Sequence, residues 1–205
     1  MRYLPGLILC LLVEPACVFA DITCTPTRAL PQQNRTQMKH RNPPAQSSGP
    51  TLITVQQVVA EAPASGISQP GFKSHDAPLD PRESQVVTLK GDLWLAKIES
   101  NDCDLHLEIS GVGGSQSDDR IIVEIPQGPQ FLAARNALLQ ALAARKVKLS
   151  DKPLKQSIPM QVLGFMFFDA WHFSAGNPRG HSHGSAEVAT LWEIHPVYGI
   201  VFPQN

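Results

Sequence analysis

The chain has 205 residues, of which 17 are basic and 18 acidic, giving a formal net charge of −1. A protein that grips nucleic-acid phosphates without sequence preference carries a basic surface. This balance shows no such charge signature, says little else about partners, and leaves an unknown polar ligand or oligomer as the expectation.

In chain order, residues 1–20 come first. Arg2 precedes the apolar run "LPGLILCLLV", and small Ala20 stands before Asp21, the pattern of a secretory signal peptide. The run is about ten residues long, half of what crosses a bilayer, and no second long apolar stretch follows. Cys10 and Cys17 lack the small-residue context expected of a lipid-modified cysteine. A secreted or periplasmic protein without a transmembrane segment is therefore expected. Removal of residues 1–20 leaves Cys24 and Cys103, and an even count in an oxidising compartment reads as a disulfide. The bridge would close a loop of about 80 residues, for which the chain-entropy model gives an upper figure of about 4.5 kcal/mol. Two unpaired thiols are the alternative.

Residues 21–83 are Pro-rich and contain runs such as "PQQNRTQMKHRNPPAQSSGP", so a largely extended N-terminal segment is expected. Only "TLITVQQVVAEA" (51–62) has enough β-branched residues for an ordered element. From residue 84 to 205 the texture changes to short alternating apolar runs. "QVVTLKGDLWLAKIES" (85–100) reads as a strand bent at Gly91, and "DLHLEIS" (104–110) sends Leu105, Leu107 and Ile109 to one face and Asp104, His106 and Glu108 to the other. "RIIVEIP" (120–126) alternates in the same way. The period then lengthens, with Phe131, Leu132, Arg135, Leu138, Leu139 and Leu142 at helical spacing. Two strands follow, at 160–171 and 191–202. In the second, Trp192, Ile194, Tyr198, Ile200 and Phe202 share one parity, and Glu193, His195 and Val197 the other.

This order of three strands, a helix and two strands is that of an all-β fold with one helix: a five-stranded OB-fold-like barrel. OB-folds bind ligands on the face of their second and third strands and with the loops joining strands 1–2 and 4–5. In this chain those loops carry Asp102 and Asp104 at one end, and Asp169, His172, Arg179, His181 and His183 at the other. Imidazoles with carboxylates suit a divalent transition metal, zinc foremost, better than magnesium or calcium. "HSHG" places two histidines at i and i+2, so only a turn brings both to one ion, and solvated loop histidines are the competing reading. His195 precedes Pro196 and fits either a structural hydrogen bond or a ligand role. Asp169 with His172 fits a carboxylate-oriented imidazole or a turn-forming Asp at a strand end.

The segments "GFMFFDAWH", "GNPRG" and "WEIHPV", with "DCDLHLEI" and "IIVEIP", resemble an uncharacterised group of secreted bacterial OB-fold-like proteins carrying G-x-x-F-F-D-x-x-H and E-I-H-P-V segments. The resemblance covers about residues 88–200. It implies an OB-like barrel and a recurrent set Asp169, His172, Glu193 and His195, and it implies no activity. The insertion "HSHGSAEVAT" departs from the group's pattern and leaves His181 and His183 outside any shared site.

Three functions fit. The first is an exported OB-fold-like binding module whose His/Asp-rich loop mouth holds a metal. The second is a metal-dependent phosphodiesterase or nuclease with Arg179 on the phosphate. The third is an envelope protein with a structural task.

Overall fold

The computed structural model describes residues 22–27, 35–43, 49–175 and 188–203. The expected signal peptide lies outside them, as do Arg179, His181 and His183. Among the described residues the elements run α1 (Thr36–Lys39), β1 (Thr51–Ile53), α2 (Val55–Ala60), β2 (Val86–Ile98), β3 (Leu105–Ser110), β4 (Arg120–Ile125), α3 (Leu132–Ala144), β5 (Ile158–Phe168) and β6 (Trp192–Val201). The sheet order is β1-β2-β3-β4-β6-β5, and β5 returns to pair with β2, so five strands close into a barrel. All neighbours among those five are antiparallel except β4 and β6, which meet in parallel register at Val123 and Ile194. With α3 between its third and fourth strands, this is the OB-fold.

Alternation explains the interior. Leu105, Leu107 and Ile109 from β3, Ile121, Val123 and Ile125 from β4, and Trp192 and Ile194 from β6 are all buried in one core. Helix α3 adds Ala134, Leu138 and Leu142 to it. Its Arg135 is equally buried and donates to the carbonyls of Cys103 (3.2 Å) and Ile125 (3.0 Å). Strand β2 is shared between β5, along Val86–Leu93, and β3, along Asp92–Ile98. Gly91 sits at that handover, where a Cβ would meet the Ser110 carbonyl oxygen at 2.3 Å, so only glycine lets the strands approach.

Two expectations need correction. In β6 the parity changes: Val197 is core and Tyr198 is half-exposed. The cause is the irregular register of β5 against β6, where Gly164 faces Val197 while Met166 faces Ile194. The Pro-rich segment, over its described residues 35–43 and 49–83, is also more than an extended leader. β1 pairs in parallel with β2, and α2 begins with a capping box in which Thr54 and Gln57 bond each other's backbone N–H. Val55, Val58, Ala64 and Leu79 join the core. Arg35 and Glu83 form a buried ion pair at 2.7 Å, and Glu83 also accepts from the N–H groups of Leu79 and Phe168. Composition could not foretell this, because the segment is held by a few valines and a satisfied charge pair rather than by an apolar face of its own.

Cys24 and Cys103 are disulfide-bonded, with their Cα atoms 5.8 Å apart. No helix among the described residues is long and apolar enough to cross a membrane.

Candidate metal centre

The residues opposite the core in parity build the site. His106 on β3 stands directly across from Glu124 on β4, and the parallel register of Val123 with Ile194 sets Glu124 beside His195 on β6. The three side chains form one row across adjacent strands. His106 Nδ1 lies 3.0 Å from Glu124 Oε1, and His195 Nδ1 lies 2.9 Å from Glu124 Oε2. This is the outer face of the OB-fold's second and third strands, yet the row is buried: His195 is fully inaccessible and His106 is 3 % exposed. Both imidazoles therefore direct Nε2 away from Glu124, because the carboxylate occupies both Nδ1 positions.

At the far side of His195 stands Asp104, from the β2–β3 turn. The Asp104 backbone N–H donates to Asp102 Oδ1 (3.2 Å), and Asp104 Oδ1 accepts from the Gln127 N–H (3.2 Å). Asp104 Oδ2 and His195 Nε2 face each other at 3.4 Å, and neither has a hydrogen-bond partner although both are fully buried. Asp104, Glu124 and His195 can bring one ligand atom each to within 4.8 Å of one another. Metal–nitrogen and metal–oxygen bonds of about 2.0–2.2 Å at a tetrahedral angle separate two ligand atoms by about 3.4 Å. The orphaned pair has that spacing.

Three neighbouring groups lie around the centre. Glu193 Oε2 lies 3.5 Å from His195 Nδ1. Asp169, at the end of β5, accepts from His172 Nδ1 at 2.5 Å and from the Trp171 N–H at 3.1 Å; His172 is 40 % exposed and Trp171 45 %. From α1, half-buried Lys39 brings its ammonium 5.6 Å from the Phe167 ring centroid, and that ring packs 5.4 Å from the His195 ring.

Electrostatics couples these groups. Burial opposes the charge of His195, but Glu124, Asp104 and Glu193 more than offset it and hold the imidazole well above its usual range. His106 is pushed up to about 9, its burial outweighed by Glu108 and Glu124. Glu193 is pushed up to about 7 by burial and by the charges of Asp169 and Glu124. Burial, Asp104 and Glu124 raise Asp102 to about 6. Glu124 goes the other way: burial is outweighed by His195, His106 and Lys39, which keep it ionised. The His172 imidazole is held above its ordinary value by its hydrogen bond to Asp169. Lys39 is raised too, since Glu124, Asp169, Glu193 and Asp104 together outweigh its burial.

These directions fix a pH dependence. A histidine with a raised folded-state value stabilises the fold fully below its unfolded value near 6.5 and loses that contribution as pH rises through the folded value. For His106 the window runs from 6.5 to about 9. Urea unfolding in chelator is expected to show stability falling across that window, with each proton released contributing up to about 1.4 kcal/mol per pH unit. His106→Gln is expected to flatten the slope, and an unchanged slope would show that the titrating group lies elsewhere.

Of the residues expected from sequence, the structure thus gathers Asp104, His195 and Glu193 at one centre. Asp102 stands behind Asp104, and Asp169, whose charge raises Glu193, holds His172 by a hydrogen bond. The expected histidines of the β5–β6 loop, His181 and His183, and Arg179 fall outside the described residues. Glu124 and Lys39 were not anticipated. Glu124 was legible as an outward position of "RIIVEIP", but nothing in the sequence marked that position as buried.

No protein-family model and no curated protein sequence matches the chain. Among solved structures it is similar to a crystal structure of yeast Stn1 and Ten1, at 12 % identity and a TM-score of 0.31, over 83 % of this chain and 70 % of that one. The fold assignment rests on the strand order and the closed β2–β5 pairing described above.

Proposed function

We propose that this chain is an exported OB-fold-like binding module that holds one divalent transition metal, zinc foremost, through His195 Nε2 and Asp104 Oδ2, with Glu124 holding the imidazole at its Nδ1 side. One observation carries the reading: His195 Nε2 and Asp104 Oδ2 are buried, make no hydrogen bond, and face each other at 3.4 Å, the spacing of two ligands of one ion. Buried polar atoms are seldom left without partners, and an ion would satisfy both. An imidazole nitrogen with a carboxylate suits zinc, and the remaining coordination positions are open to water or a polar ligand. Binding replaces the His195 Nε2 proton, so affinity is expected to fall as pH drops. His106 supports the site from behind by holding Glu124, as partners of ligating groups do. Export is supported by the disulfide, which persists in oxidising compartments, and by the signal-peptide pattern. It accords with the secreted bacterial group that the chain resembles.

The expected result is one equivalent of zinc per chain and a thermal midpoint that rises with zinc concentration. A hundredfold excess over Kd contributes about 2.7 kcal/mol. Asp104→Asn and His195→Gln should lose both effects while His172→Gln keeps them; undiminished zinc content in Asp104→Asn would overturn the assignment.

The phosphodiesterase reading has one observation in its favour, the Asp169–His172 pair, whose half-exposed imidazole is oriented by a buried carboxylate as a general base is. Chelator-sensitive turnover of a generic phosphodiester by the zinc-loaded protein would replace the binding reading with this one.

A further inference from the structure

The connection between α3 and β5, residues 145–157, carries five of the chain's 17 basic residues, Arg145, Lys146, Lys148, Lys152 and Lys155, against one acid, Asp151. The near-neutral total thus conceals a strongly positive segment. Its apolar members face inward: Val147, Leu149 and Leu154 pack on the core, and the Ser150 and Leu154 N–H groups donate to the Ala96 and Trp94 carbonyls of β2, at 2.9 and 2.6 Å. The five cations are left outward, and all are exposed. Among the described residues none of the five forms an ion pair, whereas Arg35, Arg82, Lys97 and Arg120 are each paired with a carboxylate.

The dipole of α3 accounts for cations at Arg145 and Lys146, but it fades within the last turn and does not reach Lys148, Lys152 and Lys155. Nor does it account for the backbone at Lys146. This residue has φ 57°, and its N–H and that of Val147 bond the Ala143 and Leu142 carbonyls at 2.9 Å each, the helix ending that ordinarily takes glycine. A lysine there strains the turn and keeps a charge.

An apolar strip adjoins these cations. Ala137 and Ala141 of α3, with Arg145 and the β6 end at Ile200, Val201 and Phe202, line an open groove of about 600 Å³. Val201 is 60 % exposed, and the Arg145 guanidinium stands 5.7 Å from the Phe202 ring centroid. Cations beside exposed aliphatic side chains suit an anionic bilayer surface, where lysines meet headgroup phosphates and a few apolar atoms enter beneath them. Nucleic acid fits less well. Four of the five cations are lysines, without the planar fork of arginine, and the Phe202 ring is half-buried beside Arg145 rather than open to a base. We infer that this face, the 145–155 connection with the Val201 edge of β6, docks the protein on a membrane surface of anionic phospholipid.

The test is co-sedimentation of the mature chain, residues 21–205, with vesicles of equimolar phosphatidylglycerol and phosphatidylcholine and with vesicles of phosphatidylcholine alone. Binding is expected to the first and not to the second, and it should fall as salt is raised. Combining Lys148→Gln, Lys152→Gln and Lys155→Gln is expected to weaken it about a hundredfold, about fivefold for each charge, with the melting midpoint kept. Lys146→Gly should weaken it about fivefold while raising the melting midpoint, because glycine relaxes the turn. Equal binding to both vesicle types, or undiminished binding by the triple variant, would overturn the inference. So would failure to bind either vesicle; a single-stranded oligonucleotide held instead by the same lysines would reassign the patch to nucleic acid. Should the triple variant fail to fold, the salt series and Lys146→Gly decide, and binding indifferent to both would overturn the docking surface.

Discussion

Arg35→Ala is expected to destabilise the protein by about 3–5 kcal/mol, the loss associated with stranding one partner of a buried ion pair. Arg35 is 1 % exposed and Glu83 fully buried. The guanidinium bonds both Glu83 oxygens, at 2.7 and 2.8 Å, and also the carbonyls of His75, Ala77 and Phe168. Removing it strands a carboxylate and three acceptors together. Glu83 keeps its bonds from the Leu79 and Phe168 N–H groups, so part of its charge stays solvated by the backbone. The check is the urea midpoint of Arg35→Ala, Glu83→Gln and the double variant. The double variant should lose less than the sum of the singles, because neither charge is then left alone. Additive losses would mean that the two residues act independently.

Cys24→Ser with Cys103→Ser is expected to lose about 2–5 kcal/mol, since the bridge closes most of the N-terminal half into one loop. A second consequence is local. Cys103 takes a left-handed conformation with φ 67°, its N–H bonds the Glu99 carbonyl at 2.9 Å, and Arg135 caps its own carbonyl. The next residue is Asp104. The bridge therefore holds the turn that presents Oδ2 to His195, and reduction should weaken zinc binding as well as stability. Zinc affinity measured with and without reductant on the unaltered chain separates the two effects. Lost stability with unchanged affinity would show that Arg135 and Gln127 fix Asp104 without the disulfide.

Much of the barrel could be read from residue order because strand alternation and helix period are local signals. Leu105, Leu107 and Ile109 declare a face regardless of what packs on it. The row of polar residues on the opposite face had the same alternation and no sign of burial, since burial depends on contacts that exist only in the folded chain. Arg35 illustrates the limit: its partner is 48 positions distant, and the run around it is rich in polar residues and proline. The parity of Val197 failed for a related reason. Gly164 allows an approach so close that a Cβ there would meet the Pro196 carbonyl oxygen at 2.6 Å, and that contact exists only once β5 and β6 have paired. The candidate site was half legible. Asp104, Glu193 and His195 stood out by residue type, whereas the atoms that make the centre distinctive, two orphaned ligand positions around a shared carboxylate, are a property of register.

Between β4 and β6 the barrel wall is joined by parallel pairing, at Val123 with Ile194 and in the isolated bridge of Arg120 with Val188. Glu124 and His195 straddle this suture from outside. Whatever occupies the carboxylate–imidazole row thus also clasps the cylinder shut, and a substitution that retunes ion affinity will alter how readily the wall parts. Chemistry and architecture are here served by the same few atoms, so neither can drift without the other.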